Sequence, residues 1–150
     1  MKNKIFGLLV CLLLLCSTAL ASGLTKLGDT AGGAMYMNTE AVQPLRKDGE
    51  LFLLVQLEEH YTNKDFLARL RASKPQLQKV TAASYLYMFT NKGTHYCLPQ
   101  RLLLNQDETV AYDLGQDMKL QPVKSRILVR AYENALQILE RKQRIANMYK

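Results

Sequence analysis

The chain has 150 residues, three cysteines, no tryptophan and a formal net charge of +7. Its length suits one domain with one hydrophobic core, and no internal repeat, low-complexity tract or linker divides it after residue 22. Beyond the first residues no apolar run reaches the roughly 20 residues that cross a bilayer, so the mature product is expected to be soluble or peripherally attached.

Residues 1–21 read as a cleavable secretory signal peptide. Lys2 and Lys4 precede an uncharged apolar run from Ile5 to Leu15, and Ala19 and Ala21 make an A-x-A cleavage site. A lipoprotein signal would need a small residue before the acylated cysteine, but Leu15 precedes Cys16 and Val10 precedes Cys11. The mature chain, 22–150, then keeps Cys97 as its sole cysteine and a net charge of +5. A lone thiol is either buried as a small hydrophobe or bridges two chains, and the apolar, strand-like surroundings of Cys97 favour burial. Residues 22–123 balance eleven basic groups against eleven acidic ones, so the whole charge excess lies in 124–150.

In chain order, Ala34–Asn38 and Leu51–Leu57 read as strands. Between them Asp48-Gly49 is a hairpin signal, because both residues tolerate positive φ, and it predicts adjacent antiparallel strands. Gly32-Gly33 marks a flexible lead-in or a tight turn. Residues 63–73 switch to helical spacing, with Asn63 as N-cap, Asp65 in the first turn, Phe66, Leu67 and Leu70 on one face, and Pro75 as the stop. Val80–Phe89 and Thr94–Leu104 are two further strands joined by Asn91-Lys92-Gly93. Ala83, Tyr85, Tyr87 and Phe89 share one face of the first, and His95 and Cys97 share one face of the second. Pro99 lacks an N–H, which requires a bulge or a sheet edge at that point. Thr109–Leu114 is another strand, closed by Gly115.

From Ser125, a candidate N-cap just after Pro122, a long helix begins. Leu128, Ala131, Ala135 and Ile138, widened by Ile127, Tyr132 and Leu139, make its apolar face. Past Leu139 the stripe thins to Ile145 and Met148 among basic residues, so the first half should pack on the sheet and the last turns should project or fray. The fold class expected is α+β, an antiparallel sheet of about five or six strands packed against a long C-terminal helix.

Chemistry-bearing residues are few. The mature chain has two histidines and one cysteine, with no Gly-rich phosphate loop, no cysteine pair and no G-x-S-x-G elbow. His95 and Cys97 alternate on one strand face, but a stable zinc site needs three or four ligands, and nothing in the spacing requires His60 with Glu58 or Glu59 to complete it. No catalytic residue, metal or cofactor is assigned, and the chain is expected not to be an enzyme. Tyr85, Tyr87 and Tyr96 are candidate binding residues, because sheet aromatics are common interface anchors; the plainer reading makes them half-buried sheet residues. Arg141, Lys142 and Arg144 are candidate contacts for anionic partners such as sulfated glycans, acidic protein segments or the envelope surface; the plainer reading is a solvated helix end. No nucleic-acid motif appears, and export argues against that class of partner.

Several segments resemble, in pattern and order over about residues 24–140, the surface-adhesin protein E-like family of Gram-negative bacteria. They are Ala34-Met-Tyr-Met-Asn-Thr39, Asp48-Gly-Glu-Leu-Phe-Leu-Leu-Val55, Thr94-His-Tyr-Cys-Leu-Pro-Gln-Arg101, Tyr112-Asp-Leu-Gly115 and the Pro122 to Ser125 lead into the helix. The resemblance implies a sheet of about six strands against a C-terminal helix, display or retention at the cell envelope, and binding of host extracellular proteins. Two departures stand out: the terminal helix lacks the cysteine that family members commonly carry there, and the signal lacks a lipobox. The function expected is that of an exported, non-enzymatic, adhesin-like module in the periplasm or on the outer surface. The alternative is a periplasmic structural or assembly component that meets another envelope protein or forms a homodimer.

Overall fold

The structure, a computed structural model, describes residues 23–149; the expected signal peptide at 1–21 lies outside the described residues. Strands β1 (Leu24–Asp29), β2 (Gly33–Asn38), β3 (Gln43–Lys47), β4 (Glu50–Tyr61), β5 (Val80–Thr90), β6 (His95–Asn105), β7 (Val110–Asp113) and β8 (Asp117–Pro122) form one antiparallel sheet. Helix α1 (Lys64–Ser73) and a 3-10 turn (Pro75–Leu77) lie between β4 and β5, and α2 (Arg126–Met148) follows β8. The fold is α+β, as the apolar patterning predicts.

The sheet order is β1-β2-β4-β5-β6-β7, with β3 on the first half of β4 and β8 on the first half of β6. Three long strands of 12, 11 and 11 residues therefore carry the sheet, and short strands line both flanks. Asp48 and Gly49 adopt φ of 50° and 82°, the backbone of a type I′ turn, but the hairpin they close is β3–β4. The Ala34–Asn38 segment does pair antiparallel with β4, at its other half, where Met37 faces Leu57. Strands β1, β3 and β8 were not expected from the pattern. They are flanking strands with few buried side chains, and Pro44 interrupts the β3 sequence, so each lacks the alternating apolar signal of an interior strand.

Pro99 is accommodated by a break in the ladders. The β5–β6 register slips between Leu86 and Met88, β8 pairs no further along β6 than Leu98, and β7 begins its pairing at Leu102. A residue without an N–H costs little where the ladder is already interrupted.

Helix α2 covers one sheet face. The Ser125 side chain accepts a hydrogen bond from the Ile127 N–H at 3.2 Å, and Leu128, Ala131 and Ala135 bury against Leu53, Val55, Leu57, Tyr87 and Phe89. Two alanines at the contact let the helix backbone approach closely, so the large residues come from the sheet. Arg130 donates to the Leu27 carbonyl on β1 and the Tyr132 hydroxyl to the Asn91 carbonyl in the β5–β6 turn, pinning the helix at two places. On the same face α1, capped by the Asn63 side chain on the Phe66 N–H at 3.0 Å, packs Phe66, Leu67 and Leu70 against Tyr61, Val80, Ala83 and Leu103. The Arg71 guanidinium donates twice to the Val80 carbonyl, at 3.1 and 2.8 Å, tying α1 to the start of β5. Pro75 does not simply end this segment; it opens the 3-10 turn that buries Leu77.

The opposite face carries a cluster of Phe52, Leu54, Leu86, Met88 and Cys97, to which neither helix contributes. Cys97 is 1% exposed and its thiol is free, and burial pushes its pKa up. Burial as a small hydrophobe is thus what the structure realises for this residue.

Candidate functional site

Side chains two apart on a strand share a face, so the Gln56, Glu58 and His60 row of β4 points away from α2, next to Tyr36 and Asn38 of β2 and Ser84 of β5. The row is internally bonded. Asn38 Nδ2 donates to Gln56 Oε1 at 3.4 Å, and Gln56 Nε2 donates to Ser84 Oγ at 3.1 Å. His60 Nε2 lies 3.1 Å from Glu58 Oε2, and the Tyr36 ring packs on the imidazole with centroids 4.8 Å apart. Glu58 is only 6% exposed, which is unusual for a carboxylate unless it is paired. His60 supplies that pairing, and Tyr36 holds the imidazole in place.

Beside the pair runs an open groove of about 620 Å³, walled by Glu58 and His60 of β4, Thr81 and Ala82 of β5, Leu104 of β6, and Glu108 of the β6–β7 turn. The turn is locked from within. Asp107 accepts from the Thr109 hydroxyl at 2.6 Å and from its N–H at 3.2 Å, and these bonds hold the Asp107 carboxyl below its usual pKa. Asn105, also on the wall, donates to Thr109 Oγ1 at 3.0 Å while its own Oδ1 is buried without a donor. Glu108 adopts a left-handed φ of 65° at the mouth. Two carboxylates, an imidazole and amide groups make the groove rich in acceptors, which suits the N–H groups of a basic or amide-bearing segment. Its size falls within the usual range for ligand clefts.

The residues expected to bind partners lie elsewhere, and the tyrosines need correcting. Tyr85, Tyr87 and Tyr96 face α2 and floor its packing, so they make no exposed aromatic platform. Tyr87 is 9% exposed, with ring centroids 5.7 Å from Phe89 and 5.2 Å from Tyr96. The Tyr96 hydroxyl bonds Gln121 Oε1 at 3.3 Å, and that of Tyr85 reaches Glu59 Oε2 at 3.5 Å. The cause is the small-residue stripe of α2, which needs bulky partners beneath it. Burial raises the phenol pKa of Tyr87 and of Tyr85.

Arg141, Lys142 and Arg144 stay together in the exposed last turns of α2. Lys142 Nζ reaches the Val42 carbonyl at 3.5 Å, and Arg144 stands 3.9 Å from Glu140. His95 is exposed and bonds Thr94 Oγ1 at 3.1 Å. His60 faces Ala82 and Cys97 faces Met88, six residues apart on β5, so about 20 Å separates them at ~3.3 Å per residue. Among the described residues no three of His, Cys, Asp and Glu gather as a metal site.

The groove residues had a signal in the sequence. In Leu51–Tyr61 an apolar run passes into Gln56, Glu58 and His60 at every second position, a polar row on one face of a strand whose other face is apolar from Leu51 to Leu57 and then carries Glu59. Pairing with Tyr36 and Ser84 is invisible without the sheet register. Comparison with protein-family models, with curated proteins and with solved structures returned no match.

Proposed function

We propose that the chain is an exported, non-enzymatic binding protein of the cell envelope, an adhesin-like module that holds a segment of an extracellular or envelope protein in the groove beside Glu58 and His60. The observation that carries the reading is the buried Glu58, bonded to a half-exposed His60 on the wall of an open, acceptor-rich groove on the face that neither α1 nor α2 covers. Ser84, the hydroxyl nearest in register to Glu58, receives its hydrogen bond from Gln56, so the row is built to hold its shape. A rigid polar wall is what a binding surface needs.

The test is saturable binding of the protein to a panel of matrix proteins, repeated with Gln106→Lys/Glu108→Lys. Both positions line the groove and are exposed, so the exchange makes one neutral and one acidic position basic at its mouth without touching the core. Binding that weakens at least tenfold supports the groove; unchanged binding refutes it. Export is tested separately by sequencing the N-terminus of the protein recovered from the envelope, with Ser22 expected first. Added protease then separates adhesion from a periplasmic role: digestion on intact cells is the adhesin's result, and protection is the assembly component's.

A further inference from the structure

The apolar stripe that docks α2 does not stop where the sheet does. Ala131, Ala135 and Ile138 lie on it, and Ile145 and Tyr149 continue it at helical spacing, yet Ile145 is 56% exposed and Tyr149 88%. Met148, 82% exposed, borders the same stripe. Lys142 lies within the stripe and Arg141 beside it, Arg144 stands between Met148 and Glu140, and Gln143 and Asn147 occupy the opposite side. The tail is thus a short amphipathic helix whose apolar half also carries Arg141 and Lys142.

We infer that the last turns of α2 dock the protein on an anionic lipid surface. Charge selects the occupant: residues 141–149 carry Arg141, Lys142 and Arg144 and no acidic residue, and Glu140, one turn before, stands 3.9 Å from Arg144. Size selects against a protein partner. The ten residues from Glu140 to Tyr149 span about 15 Å and offer one narrow face. A stable protein interface takes about 800 Å² and 20–30 residues from each partner. A headgroup layer needs no such area, because it accepts apolar side chains to about 5–10 Å depth while its phosphates meet the long cationic side chains. Among the described residues no helix is long and apolar enough to cross a membrane, so this attachment is peripheral. It goes beyond the groove reading, since it uses another surface and another class of partner.

Vesicle sedimentation tests it, with protein recovered after export and its N-terminus determined, so that a retained apolar leader is not mistaken for the tail. The lipids are pure phosphatidylcholine or an equal mixture with phosphatidylglycerol. The expected result is binding to the mixed vesicles well above that to the neutral ones, weakened about fivefold for each cation removed in Arg141→Gln and Arg144→Gln. Ile145→Gln/Met148→Gln, at exposed positions outside the packed clusters, should weaken it at least tenfold. Equal binding to both lipids, or apolar variants that bind as wild type, overturns the inference. So does tail-dependent binding to heparin with none to vesicles. Binding to matrix proteins should survive all these substitutions, so failure here leaves the groove reading standing.

Discussion

Replacing Gly93 by alanine isolates the contact that holds α2 on the β5–β6 turn. Gly93 has φ 66° and donates its N–H to the Thr90 carbonyl at 2.8 Å, so a side chain there first meets the left-handed penalty, about 1–2 kcal/mol. A Cβ at this position would also lie 2.4 Å from two ring carbons of Tyr132. That ring cannot swing aside cheaply: its hydroxyl bonds the Asn91 carbonyl, and Phe89 packs on it with centroids 5.7 Å apart. Overpacking of this kind adds about 1–3 kcal/mol, so the total expected loss is about 2–5 kcal/mol. Against a domain stability of roughly 5–15 kcal/mol this is severe.

The control is Gly115→Ala. Gly115 also has positive φ, 77°, but a Cβ there meets nothing within 4 Å, so about 1–2 kcal/mol is expected. Urea unfolding followed by circular dichroism, with Tyr132→Ala and the double variant completing a cycle, measures the coupling. Gly93→Ala should cost no more in the Tyr132→Ala background than Gly115→Ala costs in the wild type. If Gly93→Ala and Tyr132→Ala add within about 0.5 kcal/mol, the steric argument is wrong and the helix is not seated on this turn.

Three further outcomes follow from the packing. At Gly33 the conformation is ordinary, but a Cβ would stand 2.0 Å from the His60 carbonyl oxygen and 2.8 Å from the Thr62 nitrogen, so Gly33→Ala must part β2 from β4; a loss above about 3 kcal/mol, or failure to fold, is expected in the same urea assay. Cys97 is buried with a raised pKa, so a disulfide-exchange reagent at pH 8 should leave the native thiol unmodified and titrate it fully in guanidinium; rapid native reaction would contradict its placement. Tyr61, Tyr85 and Tyr87 have phenol pKa values raised chiefly by burial, so the neutral form is the one the folded state favours. Their contribution is intact below the unfolded value of about 10 and is lost as pH climbs through and above it. Stability should be level to about pH 9 and then fall, with phenolate absorbance of these residues appearing together with unfolding.

Local signals proved reliable where one neighbouring segment decides the outcome. Asn63 and Ser125 cap helices because a side-chain oxygen needs only the N–H groups of the next turn, and Asp48-Gly49 makes a type I′ turn because its two residues tolerate positive φ. The apolar stripe of α2 was legible for the same reason, down to the residue where it leaves the sheet. Partner choice was not legible, because it is set by residues distant in the chain. The Asp48-Gly49 turn does not announce that its strand is Gln43–Lys47, since that strand at the sheet's flank has little apolar face to show.

The face a tyrosine points to follows from alternation, but what covers that face does not. Tyr85 and Tyr87 were readable as one side of a strand; that Tyr96 joins them, and that the three floor α2, was not. Glu58 and His60 were likewise visible as a polar row. Only the register that sets Tyr36 and Ser84 on either side of Glu58, and brings the β6–β7 turn across from it, makes a walled groove of that row. Composition and periodicity determine which side chains must be buried and which backbone turns are allowed. Tertiary structure decides which surface is left open, because exposure depends on where every other element finds its lowest free energy.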